Sequence, residues 1–124
     1  MDSQDRTALV TGAASGMGAA IARRLDEGGN RVVVADIQVD LGETVAASLQ
    51  NGIFVQMDLS QAAAVSEAAE RVLQEVGTID ILVNCAGFDV VMPFLDTDED
   101  LWESIIAVNL FGPLRTTKEF LPAM

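Results

Sequence analysis

The sequence predicts a doubly wound α/β protein with a parallel sheet of strand order 3-2-1-4, and three observations lead there. Short apolar runs alternate with amphipathic helical stretches in a β-α-β-α-β-α-β-α rhythm, with no repeat or linker. A glycine-rich turn, Gly12-Ala13-Ala14-Ser15-Gly16-Met17-Gly18, joins the first run to the first helix. The four runs end at that turn, Asp36, Asp58 and Asn84, the sheet edge where open α/β proteins take ligands.

The first strand covers 8–11. Gly12 lets the chain turn sharply, Gly16 removes a Cβ where backbone must approach phosphate, and Gly18 lets helix and strand pack closely. The spacing is G-x-x-x-G-x-G, one residue longer than G-x-G-x-x-G. The first amides of the helix 16–27 are unpaired donors at the positive end of its dipole, and they suit an anion. Met17, Ile21 and Leu25 recur as a sheet-facing stripe, and Gly28-Gly29-Asn30 caps the helix. Residues 31–36 form a β-branched run typical of a strand covered on both faces.

A second helix is predicted over 40–49, with Leu41, Val45 and Leu49 as its stripe. Asn51-Gly52 turns the chain into a third strand, 53–58. Ser60 is the expected N-cap of a third helix, whose buried face is Val65, Ala68, Val72 and Val76 and which stops at Gly77. The fourth strand is 79–84, and a loop follows over 85–96. The last helix begins near Thr97, with Asp98, Glu99 and Asp100 favouring its dipole. It runs towards Leu121, with a kink expected at Gly112-Pro113.

Composition bounds the function. The 124 residues make one domain, large enough for a core. Nineteen acidic against seven basic residues leave a net charge of −12, which argues against nucleic acid, whose binding needs Lys and Arg on phosphates. The acidity reads as a soluble surface. No apolar run approaches the length of a membrane span, so no membrane is expected as a partner. The start, residues 1–6, is polar, and no secretory leader is expected. Cys85 is the only cysteine and reads as a small buried apolar residue; without an internal disulfide the chain suits a reducing cytoplasm. With no histidine, neither a zinc site nor a histidine triad can be built, so no metal is expected.

Winding must reverse after the third strand, which opens a crevice between strands 1 and 4. Asp36 lies 18 residues past Gly18, close to the ~20 expected for an acid that accepts hydrogen bonds from adenosine ribose hydroxyls. Alone, Asp58 would read as a helix-entry residue and Asn84 as a turn residue. Together with Asp36 and the glycine turn they favour a nucleotide.

These motifs also carry a resemblance. Thr11-Gly12-Ala13-Ala14-Ser15-Gly16-Met17-Gly18 resembles the T-G-x-x-x-G-x-G cofactor motif of the short-chain dehydrogenase/reductase family, which has a Rossmann-type fold. Asp58-Leu59 resembles the acid-plus-apolar pair that contacts adenine in that family. Asn84-Cys85-Ala86-Gly87 resembles its N-N-A-G, with Cys85 at the second Asn, and Val108-Asn109 matches the helix asparagine that joins its catalytic tetrad through a water. The resemblance covers nearly the whole chain. It implies NAD as cofactor and hydride transfer with a small alcohol or carbonyl substrate. It also implies cofactor contacts from Gly12, Ser15, Gly16, Met17, Gly18, Asp36, Ile37, Asp58, Leu59, Asn84, Ala86 and Gly87, with Asn109 as the tetrad residue. Asp36 would repel the extra phosphate of NADP. Ser15 and Ile37 stand where NADP-using relatives often carry Arg or Lys, so NAD is the expected choice.

One departure matters. The family places a serine and a Tyr-x-x-x-Lys pair later in the chain, whereas this sequence has no tyrosine and only Lys118 as lysine. The expectation is therefore a single dinucleotide-binding domain over 1–124, incomplete relative to the family, truncated after the fourth strand and its helix. Two other readings stay open: a non-catalytic NAD-binding module acting through binding or subunit pairing, and a fragment with no retained ligand. A homo-oligomer is expected through the last helix. Leu101, Trp102, Ile105, Ile106, Val108, Leu110 and Phe111 spread over its whole circumference, and the family joins subunits there. The unpaired edge of the fourth strand adds to that expectation. The alternative is that loop residues 88–95 fold over both surfaces.

Overall fold

Thr7–Thr11 (β1), Arg31–Asp36 (β2), Gly52–Gln56 (β3) and Ile81–Val83 (β4) form one parallel sheet. Its order is β3-β2-β1-β4, as the rhythm of the sequence predicts. The computed structural model describes residues 6–124; residues 1–5, most of the segment read as leaderless, lie outside them. In register, Leu9 stands opposite Val33 on one side and Leu82 on the other. Alternation along β1 and β2 sends Leu9 and Val33 to one face of the sheet and Val10, Val32 and Val34 to the other. All five are fully buried, and burying such a side chain stabilises the fold by about 1.5–3 kcal/mol.

The helices Gly16–Glu27 (α1) and Val39–Ser48 (α2) cover the Val10 face. Ala62–Glu75 (α3) and the helix Gly112–Phe120 (α5 below) cover the Leu9 face, where Phe120 is fully buried. Between β4 and that last helix lie Glu99–Ile106 (α4) and a π-helical turn, Ala107–Phe111, that leads into Gly112–Phe120 (α5). Asp98 caps α4 by accepting from the Leu101 amide at 2.9 Å. Among the described residues no helix is long and apolar enough to cross a membrane.

Several local expectations are corrected. Met17 does not belong to the buried stripe of α1 and is 73% exposed. Gly18, Ala19, Ala22 and Asp26 face inward instead, with Ile21 and Leu25 half-buried. The reason is close approach: a Cβ on Gly18 would collide with the Gly12 carbonyl, so small residues line this contact. In α2, Leu41 is exposed, and Gly42, Val45 and Ala46 pack inward because the Phe54 ring fills the space over Gly42. The third and fourth strands end early, at Gln56 and Val83, which leaves Asp58 and Asn84 in loops. Ser60 is not the cap of α3; Gln61 occupies that position, and the Ser60 hydroxyl donates to Asp58 instead. At Gly112-Pro113 the helix widens into the π turn just before the proline, which sits in the first turn of α5, where its missing N–H costs nothing.

Candidate functional site

The turn after β1 follows from two left-handed glycines. Gly12 has φ +66 and Gly16 φ +56, conformations that cost an L side chain about 1–2 kcal/mol. A Cβ on Gly12 would lie 2.7 Å from the Ala86 Cα, so this turn and the β4 loop touch backbone to backbone. Above Gly16 nothing lies within 4 Å. Ser15, at the cap of α1, makes no capping side-chain hydrogen bond. The turn therefore offers free amides, a free hydroxyl and open space at a helix N-terminus, the features that suit a phosphate.

At the end of β2, Asp36 is buried against this turn. Its Oδ2 accepts from the Ala14 amide and its Oδ1 from the Gln38 amide, both at 3.0 Å. Each oxygen keeps a second lone pair, which is what a pair of ribose hydroxyls needs. After β3, Met57 and Leu59 are buried, and Asp58 lies between them. Asp58 Oδ1 accepts from the Ser60 amide at 3.0 Å and from its hydroxyl at 2.6 Å, while no bond engages Oδ2 among the described residues.

The opposite wall comes from the β4 loop. The Thr11 hydroxyl accepts from the amides of Cys85 and Ala86, both at 3.1 Å, and donates to the Val83 carbonyl at 3.4 Å. Asn109, in the π turn, clamps the same loop: its Oδ1 accepts from the Phe88 amide at 2.9 Å and its Nδ2 donates to the Phe88 carbonyl at 2.8 Å. Gly87 passes so close that a Cβ there would sit 3.2 Å from Asn109 Oδ1.

Together these walls enclose a cleft of about 690 Å3, within the range usual for small-molecule sites. It is lined by Gly12, Ser15, Gly16, Met17, Gly18, Asp36, Ile37, Asp58, Leu59, Ala86 and Gly87. Asn84 and Asn109 do not line it. Asn84 turns towards α5, where its Oδ1 accepts from the Thr116 hydroxyl at 2.6 Å and its Nδ2 donates to the Thr117 hydroxyl at 3.4 Å. Asn109 acts on the cleft only through the loop it clamps. Cys85, expected buried, is half-buried and lines the cleft.

The cleft is also lined by Met57, Phe88 and Ser104, which sequence reasoning passes over, and by Thr11 and Val108, which it names only within motifs. No lysine or arginine lines the cleft, and its charged residues are Asp36 and Asp58. The arrangement can hold one anionic group at the glycine turn and hydrogen-bond donors at the two acids, with apolar walls at Ile37, Met57 and Leu59 between them. A dinucleotide fits these residues at its adenosine end.

Comparison with known proteins points the same way. The family profile described as short chain dehydrogenase matches residues 6–124. Meso-2,3-butanediol dehydrogenase of Serratia marcescens is 38% identical over 120 residues, 95% of this chain and 48% of the relative. The alcohol dehydrogenase of the archaeon Thermococcus sibiricus, solved with 5-hydroxy-NADP, superposes with a TM-score of 0.90 at 33% identity. That match covers 96% of this chain and 53% of the other. A short chain dehydrogenase/reductase of Burkholderia phymatum, solved with NAD, superposes with a TM-score of 0.93 at 26% identity, over 100% of this chain and 46% of the other. The chain spans about half the length of the relatives it matches.

Proposed function

The chain belongs to the short-chain dehydrogenase family, and we propose that it is the cofactor-holding part of an NAD(H)-dependent oxidoreductase acting on a small alcohol or carbonyl compound. The observation that carries this reading is the pairing of the glycine turn with Asp36, which sets an anion site beside two ribose-directed oxygens. In this reading Ser15 and the amides from Gly16 onward hold the pyrophosphate, and Gly18 keeps α1 close enough for them to reach it. Asp36 takes the adenosine ribose. Asp58 Oδ2 accepts from the adenine amine, and Ile37 and Leu59 flank the ring. Ala86 and Gly87, set by Thr11 and Asn109, form the floor towards the nicotinamide end.

The nicotinamide ring, when bound, supplies or takes up the hydride. The accompanying proton is not moved by this chain's own residues in the way the resemblance implies, since the sequence has no tyrosine.

NAD is favoured over NADP because the cleft presents Asp36 and no lysine or arginine. Solved neighbours carry both kinds of cofactor, one with 5-hydroxy-NADP and one with NAD. A cytoplasmic setting and a homo-oligomer through the apolar face of α4 and the π turn complete the proposal. The exposure of Trp102, Ile106, Leu110 and Phe111 supports the oligomer.

Calorimetric titration of the purified chain with NAD and with ADP-ribose tests the binding claim. Weak and comparable affinities are expected, because the contacts named lie mainly at the adenosine end. A far tighter affinity for NAD than for ADP-ribose would contradict it.

A further inference from the structure

We propose that Arg115 is a positioning residue for the adenosine end of the cleft, acting through the backbone of Leu59; the proposal rests on the dinucleotide reading above. Arg115 Nη1 donates to the Leu59 carbonyl at 2.7 Å and to the Ala107 carbonyl at 3.4 Å. Its guanidinium carbon lies 5.4 Å from the centroid of the Phe111 ring. Among the described residues the ion pairs are Arg24–Glu27 and Arg71–Glu75, so the Arg115 charge is spent on carbonyls and a ring, not on a carboxylate. A planar guanidinium with several donors can span two carbonyls, which a lysine ammonium does less well.

What it grips is a wall of the site. Leu59 lines the cleft and follows directly on Asp58, whose Oδ2 is left for a ligand. The Leu59 side chain is held from the same side, since a Cβ on Gly112 would sit 3.2 Å from Leu59 Cβ. The next residue, Thr116, ties Asn84 at the end of β4. Two consecutive residues in the middle of α5 thus fasten the loops that follow β3 and β4, on opposite sides of the crevice.

A purely structural role fits Arg115 poorly. The helix α5 is already anchored by Phe120 and Thr116, both fully buried, and by Glu119, which accepts from the Ser66 hydroxyl at 2.7 Å. What Arg115 holds that those anchors do not is the Leu59–Ser60 peptide, whose amide donates to Asp58 Oδ1. Without it, that peptide keeps only its bond to Asp58, and the carboxylate is aimed less firmly.

The test is calorimetry of the full chain with AMP, which occupies only the adenosine end, alongside urea unfolding. Arg115→Met keeps the apolar stem and removes both hydrogen bonds. It is expected to weaken AMP binding by about tenfold, the equivalent of one charge-assisted hydrogen bond. Arg115→Lys, which folds more safely, is expected to bind AMP several-fold more weakly than the wild type but better than Arg115→Met. Glu119→Ala is the control: it loosens α5 without touching Leu59, so it should lower the urea midpoint and leave AMP affinity unchanged. Wild-type affinity in both Arg115 variants overturns the proposal, as does an equal loss in Glu119→Ala. A wild-type chain that binds neither AMP nor NAD overturns the dinucleotide reading itself, an outcome distinct from the other two.

Discussion

Asp36 Oδ2 lies 3.0 Å from the amide nitrogen of Ala14, so the acid at the end of β2 is locked onto the glycine turn after β1. The proposed phosphate and ribose sites are therefore tied together. Asp36→Ala should weaken ADP-ribose binding by about tenfold or more, since hydrogen bonds to a charged group contribute about 1.5–3 kcal/mol each. It also frees the Ala14 amide and removes the like charge facing a second phosphate. Titrations of the variant should then show a smaller difference between NAD and NADP than the wild type does.

The two left-handed glycines of the turn should separate stability from binding. Gly12→Ala pushes a Cβ to 2.7 Å from the Ala86 Cα in addition to its unfavourable φ, a combined cost of about 3 kcal/mol. Gly16→Ala meets nothing within 4 Å, so it should cost only about 1–2 kcal/mol in urea unfolding. Its Cβ stands where a phosphate would approach, and ADP-ribose affinity should fall sharply while the fold holds. Equal unfolding losses in the two variants would contradict this assignment.

Thr11 should matter more than its size suggests. Thr11→Val leaves the amides of Cys85 and Ala86 without their shared acceptor, at a cost of about 1–3 kcal/mol. Thr11→Ser keeps the oxygen and should recover most of that loss. Chemical denaturation of the three proteins reads this directly.

Association should depend on the face of α4. Phe94 stacks on Trp102 at 5.8 Å, but Ile106 and Leu110 remain about half exposed, at 45% and 55%, and Val91 and Leu95 in the loop are almost fully exposed. The loop thus covers only part of this surface. Light scattering over a dilution series should show a concentration-dependent oligomer that Ile106→Glu shifts towards monomer. A wild-type monomer at high micromolar concentration, with no effect of the substitution, would show that this face needs no partner.

Much of this arrangement could be read from the sequence because its signals are local. The β-branched run at 31–36 and the glycine spacing at 12–18 report backbone geometry directly, and with them come the sheet order and the placement of Asp36. Helix faces were less legible. In α1 the contact is made by Gly18, Ala19 and Ala22, small residues that a search for large apolar side chains passes over. Asn84 lies just past the end of β4 at Val83, one residue earlier than the apolar run suggests, and its side chain turns to Thr116. Asp26 is buried and accepts from the amides of Gln50 and Asn51 at 2.9 and 3.0 Å, a tie that no local spacing announces. Such ties, like that of Arg115 to Leu59, join residues far apart in sequence and leave no local pattern.

The proposed selection of NAD rests on Asp36 and the glycine turn. The most direct measurement titrates the purified chain with NAD and NADP side by side at low ionic strength. Two like charges ~4 Å apart at an effective dielectric of ~20 repel by on the order of 4 kcal/mol, less with screening by salt, so NAD should bind clearly tighter. Adding salt should narrow the gap. Equal or tighter binding of NADP would contradict the account.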